Sequence, residues 1–173
     1  MNFSIVVAHD MKLGIGKNGD LAWKLPKDMK YFSELTQKTN GAPPTVIMGR
    51  KTYQSIPKKF RPLPNRSNII ISRQTDLQIS GVEVAHSLQE ALELANTNAP
   101  IFVIGGGQIY KEAIKHTSCT KLFITIVHID AKCDTFFPAY NQFKKVSEPN
   151  PIKDNGILMK PLVKKSKTGI CHK

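Results

Sequence analysis

The sequence predicts an α/β fold in which a mostly parallel sheet carries helices on both faces. Short apolar segments, such as FSIVVA at 3–8 and IFVI at 101–104, alternate along the chain with segments of helical periodicity. Strands buried on both faces have continuous apolar sequences of this kind, and their alternation with helices is typical of parallel sheets. A chain of 173 residues is long enough for one domain with its own core.

The first strand is followed by a helix that we expect to begin at Pro26, because proline fits the first position of a helix. A short helix is predicted after Gly49, and another begins at about Gly107. Ser87 precedes a further helix, with Glu90 three residues later, which is the pattern of a capping box. The remaining strands are predicted at 45–48, 68–72, 82–85, 101–104 and 121–129.

The overall charge is strongly basic. The formal net charge of +12 and the pI of about 9.7 give the molecule a field that attracts anions. The lysines and arginines are spread along the chain, and no group of aromatic residues resembles an RNA-binding strand. We therefore expect a small anionic ligand and no requirement for nucleic acid.

The sequence lacks signals for a membrane, for secretion and for a metal. Its longest apolar runs fall far short of the roughly 20 residues of a membrane span, and the N-terminus does not resemble a secretory signal. The three cysteines include no C-x-x-C pair, and the five histidines are scattered. We expect a cytoplasmic protein with reduced thiols, no membrane partner and no metal.

A long connection at 9–24 contains three glycines. Gly14, Gly16 and Gly19 match G-x-G-x-x-G, but five residues separate the first strand from Gly14, and the helix begins only near Pro26. A dinucleotide fingerprint requires its glycines directly between strand and helix, so this interpretation is rejected. A connection of this length is more typical of a mobile functional loop, and we expect it to act as a lid.

Three other strand ends carry groups that suit phosphate. Gly105, Gly106 and Gly107 join a strand directly to a helix, where free N–H groups favour an anion; a tight turn is the alternative. A second strand ends at Gly49 and a third at Ser72, and cations and hydroxyls follow: Arg50, Lys51, Thr52 and Arg73. In a parallel sheet these ends lie along one edge, so together they predict a nucleotide with more than one phosphate site.

Asp28 is the most unusual residue of the helix that begins at Pro26. It lies in the first turn, where the helix dipole favours a carboxylate by about 0.3 to 1 kcal/mol. Steps of four and seven residues from Asp28 reach Phe32 and Leu35, so the acid shares the apolar face of the helix. An acid that faces a core needs a partner, and we expect that partner to be a ligand.

Taken together, these segments resemble the dihydrofolate reductase family. The matching motifs run in that family's order from residue 3 to about 138: GIGKNGDLAW, LPKDMKYF, VIMGRKTYQSIP, RPLPNR, NIIISR, VIGGGQIY, LFITIVHID and DTFFP. The resemblance implies a mostly parallel eight-stranded sheet with about four helices. It also implies a monomeric enzyme that transfers hydride from NADPH to 7,8-dihydrofolate to give tetrahydrofolate.

The resemblance assigns the pteridine pocket residue by residue. Asp28 would bind the amino group and ring N–H of the pterin, Thr125 would hydrogen-bond Asp28, Trp23 would hold a water near it, and Leu21 would complete the catalytic group. Arg66 would pair with the α-carboxylate of the substrate. The apolar walls would be formed by Val6, Val7, Leu21, Met29, Phe32, Ile56, Leu63 and Ile104.

The same resemblance assigns the cofactor site. The residues along the nicotinamide and pyrophosphate would be Ala8, Ile15, Gly49, Gly105, Gly106, Gly107, Gln108, Ile109 and Tyr110. The residues at the adenine ribose and its 2′-phosphate would be Arg50, Lys51, Thr52, Ser72 and Arg73. Two arginines at the 2′-phosphate favour NADPH over NADH, and the family also has a cis peptide between the first two glycines of the 105–107 run.

The C-terminal part departs from the family pattern. Residues from Asp154 onward include no aromatic side chain, and Pro161 interrupts the apolar run, which disfavours a central strand. We therefore expect a single domain over 1–160 and an atypical, solvated basic tail over 161–173.

Two alternative functions remain open. One is a reductase of the same fold that acts on another heterocycle, such as the pyrimidine reductases of riboflavin synthesis. The other is a nucleotide-binding module without activity, whose positive charge serves a polyanion. Trp23, Asp28, Phe32 and Arg66 disfavour the first, and the intact Asp28 and glycine run disfavour the second.

Overall fold

The computed structural model describes residues 2–167 and contains an α/β architecture. The strands are β1 (Phe3–His9), β2 (Gly14–Gly16), β3 (Thr45–Gly49), β4 (Ser67–Ile71), β5 (Glu83–Ala85), β6 (Ile101–Val103), β7 (Cys119–Val127), β8 (Thr135–Phe136), β9 (Phe143–Ser147), β10 (Ile152–Asp154) and β11 (Ile157–Ser166). The helices are α1 (Pro26–Gln37), α2 (Arg50–Ser55), α3 (Leu88–Leu94) and α4 (Gly107–Ala113), with a 3-10 turn at Lys58–Phe60.

The main sheet has the order β10-β11-β7-β1-β6-β3-β4-β5, and β9 pairs with β11 as an additional strand. All neighbours from β5 to β7 are parallel, whereas β11 is antiparallel to β7. The predicted mostly parallel sheet of eight strands with four helices is therefore confirmed. Because β6, β3 and β4 are adjacent and parallel, their carboxyl ends lie on one edge, as the sequence predicts.

The helix starts follow local rules. Pro26 occupies the first turn of α1, and the Ser87 side chain accepts a 3.0 Å hydrogen bond from the Glu90 N–H at the start of α3. The Glu90 carboxylate accepts from the N–H of His86, one residue earlier than a capping box requires. Within residues 2–167, no helix is long and apolar enough to cross a membrane.

Apolar side chains cover both faces of the sheet, because consecutive strand residues point to opposite sides. On one face Ile5, Val7, Ile47 and Val103 pack beneath α3 and α4 in the larger core. On the other face a second cluster forms against α1, and we call it the cleft cluster; its members include Val6, Val46, Met48, Phe102, Phe32, Leu35, Ile56, Leu63, Ile104 and Phe123. This alternation decides which side chains can line a cleft beside α1.

The expectation of a solvated tail from residue 161 is wrong for the residues that the structure describes. β11 runs through Pro161 to Ser166 and lies between β7 and the β9 and β10 strands. The His128 N–H donates to the Leu158 carbonyl at 2.9 Å. Since hydrogen-bonded pairs alternate in an antiparallel ladder, the Thr125–Pro161 pair is a non-hydrogen-bonded one.

Proline is tolerated in β11 because the N–H that it lacks would point away from β7. On that outer side β10 pairs with 157–159 and β9 with 163–166, so Pro161 lies opposite the gap between these two strands. No ladder hydrogen bond is lost there. The boundary expected at residue 160 is therefore internal to a strand, and residues 168–173 of the expected tail lie outside the described residues.

Candidate active site

The carboxyl ends of β3 and β6 are joined directly. The Gly49 N–H donates to the Gly105 carbonyl at 2.8 Å, which places the start of α2 beside the glycine run. The Gly105–Gly106 peptide bond is cis, as the resemblance implies. This edge of the sheet forms a surface where an extended ligand can contact backbone from two strand ends.

The glycine run is explained by packing within the chain. Gly105 has φ +131°, and a Cβ added to Gly106 would lie 3.1 Å from Thr52 Oγ1. A Cβ on Gly107 would lie 2.8 Å from a methyl group of Thr135. Three consecutive glycines therefore do not by themselves indicate a phosphate-binding site. The evidence for an anion-binding site comes from the cations nearby.

Those cations line the neighbouring strand ends. Arg50, Lys51 and Arg73 are exposed, and none forms an ion pair with an acidic residue in the part of the chain that the structure describes. Arg50 Nη1 donates to Gln74 Oε1 at 2.7 Å, and the buried Ser72 hydroxyl accepts from the Gln74 N–H at 3.2 Å. Cations without an acidic partner beside a buried hydroxyl suit a phosphate ligand.

Asp28 lies on α1 where two apolar groups meet. The cleft cluster contains Phe32 on one side, and Trp23 packs with Leu25 and Val127 on the other. Burial is the main factor that raises the Asp28 pKa to about 6; a hydrogen bond from Trp23 opposes it, and the nearby Asp154 charge adds to it. No cation pairs with this carboxylate in the region from 2 to 167.

The surroundings of Asp28 differ in one detail from the expectation. Trp23 lies near the carboxylate and lowers its pKa, against the larger effect of burial. Thr125 is buried on the same face of β7 as Phe123 and Val127, which lie in the two groups beside Asp28. However, no Thr125–Asp28 hydrogen bond is formed within the described residues.

The residues predicted to form the apolar walls lie in three different places. Val6, Phe32, Ile56, Leu63 and Ile104 all belong to the cleft cluster, so the structure brings these walls together. Leu21 and Met29 are more than half exposed at 52% and 53%, so they offer an apolar surface to a ligand. Val7 is an error, because its side chain packs in the larger core on the opposite face of the sheet.

Arg66 lies at the other end of α1 from Asp28. Its Nη1 donates to Thr36 Oγ1 at 2.8 Å and its Nε to the Pro64 carbonyl at 2.9 Å. No acidic residue pairs with it in the described range, and burial lowers the pKa of its guanidinium. A half-buried arginine without an acidic partner suits a carboxylate supplied by a ligand.

Comparison with known families identifies the chain. The family model described as "Dihydrofolate reductase" matches residues 2–160. This chain belongs to the dihydrofolate reductase family. Its structure resembles a solved Schistosoma mansoni dihydrofolate reductase with a TM-score of 0.83 and 36% identity, covering 96% of this chain and 98% of that one.

Curated dihydrofolate reductases are similar in sequence as well. The Drosophila melanogaster protein is 38% identical, with 91% of this chain and 93% of that protein covered. A bifunctional dihydrofolate reductase-thymidylate synthase from Zea mays is 43% identical over 79% of this chain but only 28% of its own length. The chain thus spans about three tenths of the bifunctional relatives that it matches. The family to which the chain belongs is a family of oxidoreductases.

The predicted cofactor residues of this chain are distributed along the edge described above. Ile15 and Ile109 are half-buried against the larger core, Ala8 lies beside the Trp23 group, and Gln108 is exposed. Tyr110 is only 5% exposed. Its hydroxyl oxygen lies 2.8 Å from the Val6 carbonyl oxygen and 2.8 Å from the Ile104 carbonyl oxygen, and its single proton is shared between these two acceptors. It therefore supports the edge from below and presents no free hydroxyl to a ligand.

The sequence does not indicate how the fold holds the 9–24 loop. Asp10 is 1% exposed and accepts from the N–H groups of Lys12, Gly14 and Ala131 at 2.9, 2.7 and 3.0 Å. Burial favours the neutral acid, but these donors prevail and lower the Asp10 pKa. The acid directly follows the first strand, which is the available sequence signal, but its partners are visible only in the fold.

Proposed function

We propose that this protein catalyses the NADPH-dependent reduction of 7,8-dihydrofolate to 5,6,7,8-tetrahydrofolate, with hydride delivered to C6 and a proton to N5. The observation that carries the proposal is Asp28, a carboxylate between two apolar groups that forms no ion pair with a cation among residues 2–167. Its raised pKa of about 6 means that burial is not compensated within the protein. A pterin, which offers an amino group and a ring N–H side by side, supplies the missing donors.

The proposed choice of NADPH is supported by the cations of the strand ends. Arg50 and Arg73 flank the buried Ser72 hydroxyl on adjacent strands, and the described residues provide no acid to neutralise them. A 2′-phosphate fits this donor set, whereas NADH would leave the cations without an anion. When bound, NADPH supplies the hydride.

In the proposed mechanism Asp28 binds and polarises the pterin. Its two carboxylate oxygens accept from the amino group and the ring N–H, which raises the basicity of the ring without contact between Asp28 and N5. Trp23 lies beside the carboxylate and favours its charged form, and Leu21 and Met29 cover the ring system. A pKa near 6 lets Asp28 hold a proton at moderately acidic pH and release it towards neutrality.

The 9–24 loop is proposed to exclude water from the reacting atoms. Its base is fixed by Asp10, and its middle is tied by β2–β8 pairing and by the Asn18 N–H, which donates to Asp134 at 2.9 Å. Gly19 at φ +78° has no atom within 4 Å of an added Cβ, so the tip of the loop is unpacked. A fixed base and a free tip are what a lid requires.

The remaining proposals follow from family membership. Arg66 would bind the α-carboxylate of the substrate, and the enzyme would act as a cytoplasmic monomer in one-carbon metabolism and nucleotide precursor synthesis. Inhibitors that mimic the pterin, the antifolates, would bind at Asp28. Arg66 and Asp28 form no ion pair among the described residues, as expected if a folate ligand supplies their partners. This disfavours both alternatives, a pyrimidine reductase and an inactive nucleotide-binding module.

The deciding experiment measures dihydrofolate-dependent oxidation of NADPH by its loss of absorbance, with NADH in parallel. We expect turnover with dihydrofolate, a strong preference for NADPH, and a large loss of turnover near neutral pH in Asp28→Asn. A pyrimidine substrate of riboflavin synthesis should give none. Wild-type-like turnover by Asp28→Asn, or salt-sensitive RNA binding without any turnover, would overturn the proposal.

A further inference from the structure

One cross-strand row of the main sheet places three lysines directly opposite one another. Lys121 of β7 pairs with Lys165 of β11, and Lys165 pairs with Lys144 of β9. On the other side of Lys121 the row continues through Ser4 to Phe102, a member of the cleft cluster. Residues paired in register point to the same face, so the three lysines lie side by side on the cleft face. Like charges in this position destabilise a sheet, and the row therefore attracts an anion.

Beside Lys121 the row borders a groove between the sheet and the end of α1. The groove has a volume of about 330 Å³. Leu35 of α1 and its C-cap residue Lys38 line the groove from the helix side. Phe102 and Phe123 line it from the sheet, with 6.3 Å between their ring centroids. A concave site of roughly 300 to 1,000 Å³ with aromatic walls is typical of small-molecule binding.

This groove is separate from the position of Arg66. The groove lies over β6, β1 and β7, whereas Arg66 directly precedes β4. In the sheet order β3 lies between β6 and β4. A ligand in the groove and a carboxylate at Arg66 therefore occupy different places.

Lys121 holds its charge next to the aromatic side of the groove. Its Nζ lies 5.5 Å from the centroid of the Phe123 ring, and the residue is half-buried, whereas Lys144 and Lys165 are exposed. A cation over a ring is positioned by this contact but keeps its charge. Lys38 brings a second cation to the same groove, and the described residues that line it include no acid.

The acids on the neighbouring elements are engaged with other lysines. Glu148, which follows β9, pairs at 3.3 Å with Lys145, whose side chain points to the opposite face from that of Lys144. Glu34 of α1 pairs with Lys30 at 3.8 Å. Between residues 2 and 167, neither the three lysines of the row nor Lys38 forms an ion pair. The groove and the row beside it therefore keep their positive charge.

We propose that this groove is a second ligand site, which binds a small aromatic carboxylate with its ring against Phe102 and Phe123 and its charge between Lys38 and Lys121. A flat ring packs favourably against the two aromatic side chains. The carboxylate supplies the negative charge that the lysines lack. A second copy of this chain does not suit the groove, because each copy has a formal net charge of +12.

The test measures dissociation constants by equilibrium dialysis for three probes. 2-Naphthoate has a ring and a charge, 2-naphthamide has the ring alone, and acetate has the charge alone. We expect 2-naphthoate to bind at least tenfold more tightly than either of the others, since only this probe uses both parts of the groove. Lys121→Gln and Lys38→Gln should each weaken its binding about tenfold, because each removes a contact to a charged group.

Two control variants separate the groove from general charge and from the cleft. Lys145→Gln removes the same charge from the other face of the sheet and should change the dissociation constant of 2-naphthoate by less than about twofold. Arg66→Leu should leave the binding that depends on Lys121 unchanged. Thermal unfolding shows that each variant is folded, and Lys121→Gln should not lower the midpoint because it relieves repulsion within the row.

Four results would overturn the inference. They are equal affinities for 2-naphthoate and 2-naphthamide, an unchanged affinity for 2-naphthoate in Lys121→Gln, an equal loss in Lys145→Gln, and the disappearance of all binding in Arg66→Leu. None of these measurements depends on turnover, so a failure of the proposed reductase activity would leave this test intact.

Discussion

The Gly14 N–H donates to Asp10 Oδ1 over 2.7 Å, and this contact closes the turn that leads from β1 into the 9–24 loop. The other carboxylate oxygen of Asp10 accepts from Ala131, 121 residues away in sequence. One buried acid therefore joins the base of the proposed lid to the segment that follows β7. The lid is anchored where the sheet ends and again at the β2–β8 pairing and the Asn18–Asp134 contact, and only its tip near Gly19 is unpacked.

Substitution of Asp10 by alanine should destabilise the protein by about 2 to 4 kcal/mol, because three backbone N–H groups lose their acceptor. Urea unfolding of the variant measures the change. Asp76→Asn is a suitable control, since that residue is exposed and should change stability by less than about 0.5 kcal/mol. Equal stability of Asp10→Ala and wild type would show that the three hydrogen bonds accepted by Asp10 do not stabilise the fold.

Asp28→Asn should make the folded protein more stable at neutral pH while it removes activity. The folded state holds the Asp28 proton up to about pH 6, whereas the unfolded state releases it near 3.8, so stability falls as pH rises through this range. Removal of the charge should add about 1 to 2 kcal/mol at pH 7, less than the full pKa difference because the cleft admits solvent. Below pH 4 the two proteins should converge, and a gain that persists there would contradict the assignment.

His9 should make the protein less stable in acid. Its Nδ1 lies 2.7 Å from the Asp10 carbonyl and its Nε2 2.9 Å from the Tyr140 hydroxyl, and burial lowers its pKa despite the nearby Asp10. Below about pH 6.5 the unfolded chain binds a proton at His9 that the folded state does not readily accept. The free energy of unfolding therefore decreases as the pH is lowered. The free energy of unfolding of wild type and His9→Gln, compared from pH 7.5 to 5, should show a smaller slope in the variant.

Arg73→Gln should weaken NADPH binding about 10- to 100-fold and leave NADH binding unchanged, because only NADPH offers a 2′-phosphate to this cation. Dissociation constants from Trp23 fluorescence measure both nucleotides. Lys111→Gln, on the last turn of α4, removes one positive charge without touching the strand ends and should change neither constant by more than about twofold. An equal loss of affinity for NADPH and for NADH would show that Arg73 does not bind the 2′-phosphate.

The parts of the fold that the sequence predicted are those with local causes. The strand ends at Gly49 and Gly105 follow from apolar runs that stop at glycine, and the starts at Pro26 and Ser87 follow from capping chemistry. Asp28 was identified because helical periodicity placed it on an apolar face. Each of these signals involves residues that are close together in sequence, so it can be read from a single amino-acid sequence.

The features that the sequence did not predict depend mostly on contacts between residues far apart in the chain. The sequence predicts a solvated tail from Pro161 onward, but the tolerance of this proline within β11 depends on hydrogen-bond alternation with Thr125 and on the gap between β9 and β10. Thr36 and Asp10 act through partners 30 and 121 residues away, which no spacing rule reveals. Val7 is the exception, since strand alternation relative to Val6 was readable from the sequence and would have excluded its side chain from the cleft.

Leu162 tests whether the residues after 160 belong to the core. It lies on β11 opposite Ile124 with 9% of its surface exposed and packs in the larger core. Leu162→Ala should destabilise the protein by about 2 to 4 kcal/mol, measured by urea unfolding, because it leaves a cavity beneath the sheet. Lys160→Ala, two residues earlier and exposed, is the matched control and should stay within about 0.5 kcal/mol of wild type. If both variants were neutral, β11 would contribute little to stability and the interpretation of 161–166 as a solvated tail would regain support.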